Sequence, residues 1–181
     1  YEYFMQIDNA AIVQISDSFI DCGQFSGFMK QTSGRLILTD TIVSNAAVSR
    51  SVSFYGRAAG ITRGRFINCD CGAVSLYNRA RVEIKNCEFI KCIAEYGAAL
   101  YSESIGNVEC EDCVFDKCNA KYLGAALYFK YQKFGQYIKN CICRECNPNE
   151  NQIFNVYDDD FEIQRIEKRG TADDIRYINQ V

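Results

Sequence analysis

Apolar residues recur in this chain in short runs of period two, such as Val82, Ile84, Cys87 and Phe89, and polar corners separate the runs. Alternation of this kind is strand spacing, not helix spacing. The phrases themselves repeat. "CEFIKC" at Cys87–Cys92 and "CVFDKC" at Cys113–Cys118 are each followed by "GAALY", at Gly97–Tyr101 and Gly124–Tyr128. Aligning the last cysteine of each phrase gives Cys22, Cys69, Cys92, Cys118 and Cys146, with Ala46 in the vacant slot, at later steps of 92−69=23, 118−92=26 and 146−118=28 residues.

Other columns follow the same register. Eight residues before the anchor stand Leu38, Ile61, Ile84, Cys110 and Ile138, with Ile15 one residue out of step. Five before it stand Thr41, Gly64, Cys87, Cys113 and Cys141, and three before it Phe19, Val43, Phe66, Phe89, Phe115 and Cys143. The second half of the unit aligns Phe4, Phe28, Phe54, Leu76, Leu100, Leu127 and Phe154, beside Met5, Met29, Tyr55, Tyr77, Tyr101 and Tyr128. A unit of about 25 residues with two or three strands this short cannot bury its apolar side alone, so it must stack on copies of itself. The expectation is an all-β fold, a right-handed parallel β-helix of about six to seven coils, roughly 30 Å long at the strand spacing. A leucine-rich repeat would need a regular L-x-x-L-x-L-x-x-N phrase that the chain lacks. Two residues after the Ile84 column stand Asp17, Asp40, Arg63, Asn86, Asp112, Asn140 and Arg165. Asn and Asp tolerate left-handed backbone, so this column predicts one bend per coil. Residues 1–160 read as the repeats, and 161–181 as a last partial coil with a C-terminal cap or arm. In that segment Thr171, Asp174, Ile175 and Ile178 have the spacing of a capped short helix.

The phrases Phe66–Cys69, Phe89–Cys92 and Phe115–Cys118, each followed by Gly-Ala-Val or Gly-Ala-Ala, resemble the F-x-x-N and G-G-A-I repeats of polymorphic outer membrane proteins, within the broader pectate-lyase-like class. This chain departs from that pattern, with Cys where Asn is common and Ala for the second Gly. The resemblance spans about residues 4–157 and implies a right-handed β-helix. It also implies a role in cell-surface adhesion.

Composition narrows the chemistry. There is no histidine, which removes the commonest general base and every Ser-His-Asp or Cys-His mechanism. A net charge of −3 excludes the usual basic footprint of a nucleic-acid binder, and no apolar run approaches the ~18 residues of a membrane span. Ten of the eleven cysteines, all but Cys71, fall on repeat columns. A zinc site at Cys110, Cys113, Cys141, Cys143 and Cys146 and a disulfide framework are the alternatives to reduced, buried ladders. Reduced ladders favour an intracellular, cytoplasmic or cytoskeletal setting, with the cell surface as alternative. Asp17, Asp40, Asp112 and Glu111 read as corner residues, and Asp158, Asp159 and Asp160 as a solvated turn. No catalytic residue, cofactor or metal ligand is expected. The tyrosine column reads as a packing ladder more than a binding stripe. Protein partners are expected, through Phe129, Lys130, Tyr131, Lys133 and Phe134 of the longer "FKYQKFGQ" loop and through the C-terminal arm. The leading expectation is a non-catalytic scaffold or interaction module of a larger assembly, cytoskeletal or ciliary. A surface adhesin comes second and a polysaccharide lyase or hydrolase third.

Overall fold

A computed structural model describes residues 2–78, 80–104, 106–130 and 137–147, and beyond them the strand residues 153–155, 162–163, 166–168 and 178–179. It is an all-β parallel solenoid whose coils stack by parallel pairing on three faces. Face A carries β1 (Tyr3–Ile7), β3 (Gly27–Gln31), β5 (Val52–Phe54), β8 (Val74–Asn78), β12 (Leu100–Ser104), β16 (Leu127–Phe129), β19 (Ile153–Asn155) and β22 (Ile178–Asn179). The long strands β2 (Ile12–Asp21) and β4 (Arg35–Ser44) each run through faces B and C in turn. Face B continues with β6 (Ala58–Thr62), β9 (Arg81–Lys85), β13 (Val108–Glu111), β17 (Tyr137–Lys139) and β20 (Glu162–Ile163). Face C continues with β7 (Arg65–Ile67), β10 (Glu88–Ile90), β14 (Val114–Asp116), β18 (Cys141–Arg144) and β21 (Ile166–Lys168). The described coils amount to about five turns, slightly fewer than the expected six to seven.

The bend between faces B and C lies where the Asn/Asp column placed it. Asp17, Asp40, Arg63, Asn86, Asp112 and Asn140 all have φ between 48° and 54°. Arg165 lies outside the described residues. A second left-handed corner, after face C, was not anticipated: Asn45, Asn68, Lys91, Lys117 and Glu145 have φ between 47° and 56°. Its column mixes Asn with Lys and Glu, so composition alone hides it.

The two corners explain the cysteines. At most bends the following residue supplies a small donor to the carbonyl before the bend; Gly64 and Ala46, after Arg63 and Asn45, do not. Cys87, Cys113 and Cys141 donate their S–H to the carbonyls of Lys85, Glu111 and Lys139, two residues back, and to Ile61, Ile84 and Cys110 of the preceding coil. Thr41 does the same with its hydroxyl toward Thr39 and Ile15. At the second corner Cys92, Cys118 and Cys146 repeat the arrangement toward Ile90, Asp116 and Arg144, and toward Phe66, Phe89 and Phe115. The bend carbonyls also accept a backbone N–H from the neighbouring coil, as Glu111 does from Asn86, so the thiol or hydroxyl adds a second donor to an oxygen with two lone pairs, and a residue that is both small and able to donate is favoured there. All eleven cysteines are unpaired.

Between the corners, Phe66, Phe89 and Phe115 stack at 5.2 and 5.4 Å, with ring planes within 17°. Such pairs contribute about 0.5–1.5 kcal/mol beyond their burial. On face B every second residue is buried, as in Val82 and Ile84 or Val108 and Cys110. The alternating charges outside pair as Arg81–Glu109, Lys85–Glu111 and Lys139–Glu111.

The register corrects the sequence alignment in three places. Ile15 is in step, pairing with Leu38, whereas Phe19 pairs with Ile42 and is 69% exposed; Ile20 occupies the core slot opposite Val43. Asp21 pairs with Ser44, so Cys22 sits opposite Asn45 and not Ala46. The cysteine drew the alignment one residue off in the first coil. On face A, Gln31 and not Phe28 pairs with Phe54, and Leu100 pairs with Val74, not Leu76. The inner strands of face A are buried on both sides, as in Val52–Phe54, so their large residues do not mark register. Of the expected C-terminal helix, residues 171–177 lie outside the described ones, and Ile178–Asn179 is a strand paired with β19.

Candidate functional site

Three coils of different length build a groove. From Cys69 the chain reaches face A at Val74 in five residues. From Cys92 to Leu100 it takes eight, and from Cys118 to Leu127 nine. The extra residues form a wall of two further parallel strands, β11 (Ile93–Tyr96) and β15 (Asn119–Leu123). The chain then turns back through the two GAALY phrases. Gly97 and Gly124 have φ of 56° and 68°, and a Cβ on either would overlap the carbonyl oxygen of Leu100 or Leu127. Two fully buried alanines follow each glycine, Ala98–Ala99 and Ala125–Ala126. The repeated phrase is therefore the hinge by which the wall rejoins face A.

The groove beside this wall has a volume of about 610 Å³ and is lined by Arg50, Asp70, Cys71, Tyr77, Ile93, Glu95, Tyr96, Tyr101 and Lys121, among others. Arg50 forms its base. It comes from a loop two coils earlier, and its Nη1 donates to the Gly97 carbonyl at 2.7 Å while Nη2 donates to the Tyr96 carbonyl. The guanidinium lies 5.0 Å from the centre of the Tyr101 ring. Gly72 (φ 94°) clears its path, since a Cβ there would collide with Nη1. Burial pulls the Arg50 pKa down to about 10. Among the described residues no carboxylate forms an ion pair with it. Charge-assisted bonds to two carbonyls and the ring face hold it instead.

The tyrosine column divides here. Tyr55 and Tyr77 stack at 4.3 Å, and Tyr101 and Tyr128 at 5.6 Å, but Tyr77 and Tyr101 are tilted by 52° at 6.2 Å. Register explains the break: Tyr77 pairs with Glu103, and Tyr101 with Ser75. The Tyr101 hydroxyl donates to Glu103, which also binds Lys130 at 2.9 Å. That ammonium holds the Glu103 carboxyl below its ordinary range, and burial, helped by Glu103, raises the Tyr101 phenol.

Of the interface residues expected from sequence, Phe129 is fully buried on β16 and Lys130 is committed to Glu103. Tyr131, Lys133 and Phe134 lie outside the described residues, as do Asp158, Asp159 and Asp160. Asp17, Asp40 and Asp112 sit on the corner, Asp40 in a two-bond clasp with Arg63, and Glu111 joins the face B charge lattice. The sequence columns missed Arg50 and Ile93 because both lie in segments between columns. The change in step from 23 to 26 residues was a signal for Ile93; Arg50 lies in a unit of ordinary length and had none.

Among the described residues no helix is long and apolar enough to cross a membrane. The fold and the groove define the class: a parallel β-solenoid with one walled, aromatic face. No family model, curated protein or solved structure matches this chain.

Proposed function

We propose that this chain is a non-catalytic interaction module of a larger assembly, and that partners dock in the groove between face A and the β11–β15 wall. The observation that carries the reading is the arrangement around Arg50. A half-buried guanidinium, tyrosine rings and the 46%-exposed Ile93 converge where two longer coils overhang the sheet. Arginine and tyrosine are the residues that anchor protein interfaces. The acids of the corner column have structural work to do at the bends, and the groove's own carboxylates, Asp70 and Glu95, stand beside Arg50 and Lys121 as polar contacts for a partner. The unpaired thiols favour a reducing compartment, with a cytoskeletal or ciliary assembly as the setting.

The test compares wild type with Arg50→Met and Tyr101→Ala in partner capture from cell extract, alongside thermal unfolding. Specific partners captured by wild type and lost from both variants at unchanged Tm support the reading. Turnover of an acidic polysaccharide that disappears on an Asp→Asn substitution overturns it in favour of an enzyme. Thiol labelling of the native source under denaturing, non-reducing conditions should find all cysteines free. Extensive disulfides would point instead to the surface-adhesin role that the polymorphic outer membrane protein resemblance implies.

A further inference from the structure

Seven cysteines directly follow a corner bend, but Cys110 does not. It occupies a column otherwise filled by Ile15, Leu38, Ile61, Ile84 and Ile138, where an aliphatic side chain packs the core. Its neighbours are Cys113 and Cys141, and the three sulfurs lie within 4.8 Å of one another, with Cys141 and Cys110 3.8 Å apart. All three are fully buried. Among the described residues this is the one group of three or more metal-ligating side chains so arranged. Packing alone does not require a thiol at position 110, since the same slot is filled by isoleucine in the coils on both sides.

We propose that Cys110, Cys113 and Cys141 form a three-sulfur site for a single monovalent copper ion. Three sulfurs each about 2.3 Å from a central first-row ion would stand about 4.0 Å apart, close to the observed spacing. Soft sulfur ligands select Cu(I) and zinc among the biological ions. Structural zinc takes four ligands; Cys87, the next thiol of the ladder, neighbours Cys113 but lies outside the mutually close group of three, which suits an ion content with three. Each sulfur that ligates as thiolate releases its proton to solvent, and Cys113 and Cys141 then give up their S–H bonds to the Glu111 and Lys139 carbonyls. The ion then replaces the hydrogen bonds as the tie between the two coils.

The experiment refolds the full chain anaerobically with one equivalent of Cu(I) and challenges it with a chromogenic Cu(I) chelator. X-ray absorption then reads the ligand shell. Expected are one retained ion per chain and three sulfurs at about 2.3 Å. Cys110→Ile restores the column residue and so keeps the fold, but should weaken retention by at least on the order of 100-fold, since even outer-sphere changes cost about 10–100-fold. Cys113→Thr, which copies Thr41 at the equivalent corner, should do the same. Cys92→Ser, in the other ladder, should leave retention unchanged. No retained ion, equal retention by Cys110→Ile, or a four-ligand zinc ion held in preference would each overturn the assignment.

Discussion

Faces B and C and face A are built from the same coils, yet they obey different rules. On faces B and C one side of each strand is buried, two left-handed corners bracket the strands, and register is preserved from Ile15 through Ile138. On face A the inner strands are covered on both sides, coil lengths vary, and large residues lose their alignment between neighbours. The difference teaches that a bend, more than a hydrophobic residue, sets the period of this solenoid. Where bends recur, columns are strict; where the return path varies in length, the chain gains a wall and a groove.

The sharpest way to break the comparison is to empty a strict column. Phe89→Ala removes the middle ring of the Phe66–Phe89–Phe115 stack and should cost about 3–5 kcal/mol, read as a lowered urea midpoint. Gly97→Ala adds a Cβ at a positive φ against the Leu100 carbonyl, so it should cost on the order of 1–3 kcal/mol and loosen the wall. Hydrogen exchange should then rise first at β11 and β15. Cys113→Ala removes the S–H bonds to the Glu111 and Ile84 carbonyls, of which Glu111 keeps the Asn86 N–H, and should cost about 0.5–1.5 kcal/mol. Cys113→Thr should recover most of that loss in the metal-free protein. Equal losses for the two would mean that the thiol acts only as volume. Arg50→Met should shift stability by less than about 1 kcal/mol, because replacing a half-buried charge by an apolar chain offsets its lost bonds.

The smallest effect is electrostatic. The Glu103 carboxyl is held below its ordinary value of 4.5, chiefly by Lys130. A depressed carboxylate pKa contributes stability that is complete above the unfolded value and is lost as pH falls through the folded one. Acid titration below about pH 4.5 should therefore destabilise wild type slightly more than Glu103→Gln.

Much of faces B and C was legible in the amino-acid order, because Asn and Asp mark a left-handed bend by their own chemistry. The second corner was not, since Lys91, Lys117 and Glu145 adopt the same φ without the short polar side chain that favours it locally. The error in the first coil has a physical source: Cys22 resembles the anchors in type, but pairing is decided by backbone continuity with Asp21 and Ser44. The groove was illegible for a similar reason. Arg50 belongs to no column, and its partners Tyr96 and Gly97 are 46 and 47 residues away.

What the chain determined by itself was the repeat, and with it a stack of parallel strands, because alternation and bend-forming residues act over a few neighbours. Only the tertiary structure decided which side chains meet across coils: the Arg50 seat on Tyr101, the tilt between Tyr77 and Tyr101, and the meeting of three sulfurs at Cys110, Cys113 and Cys141. Those contacts depend on register between coils of unequal length, and register is a property of the stack, set by where each chain segment can complete its hydrogen bonds to the coil beside it.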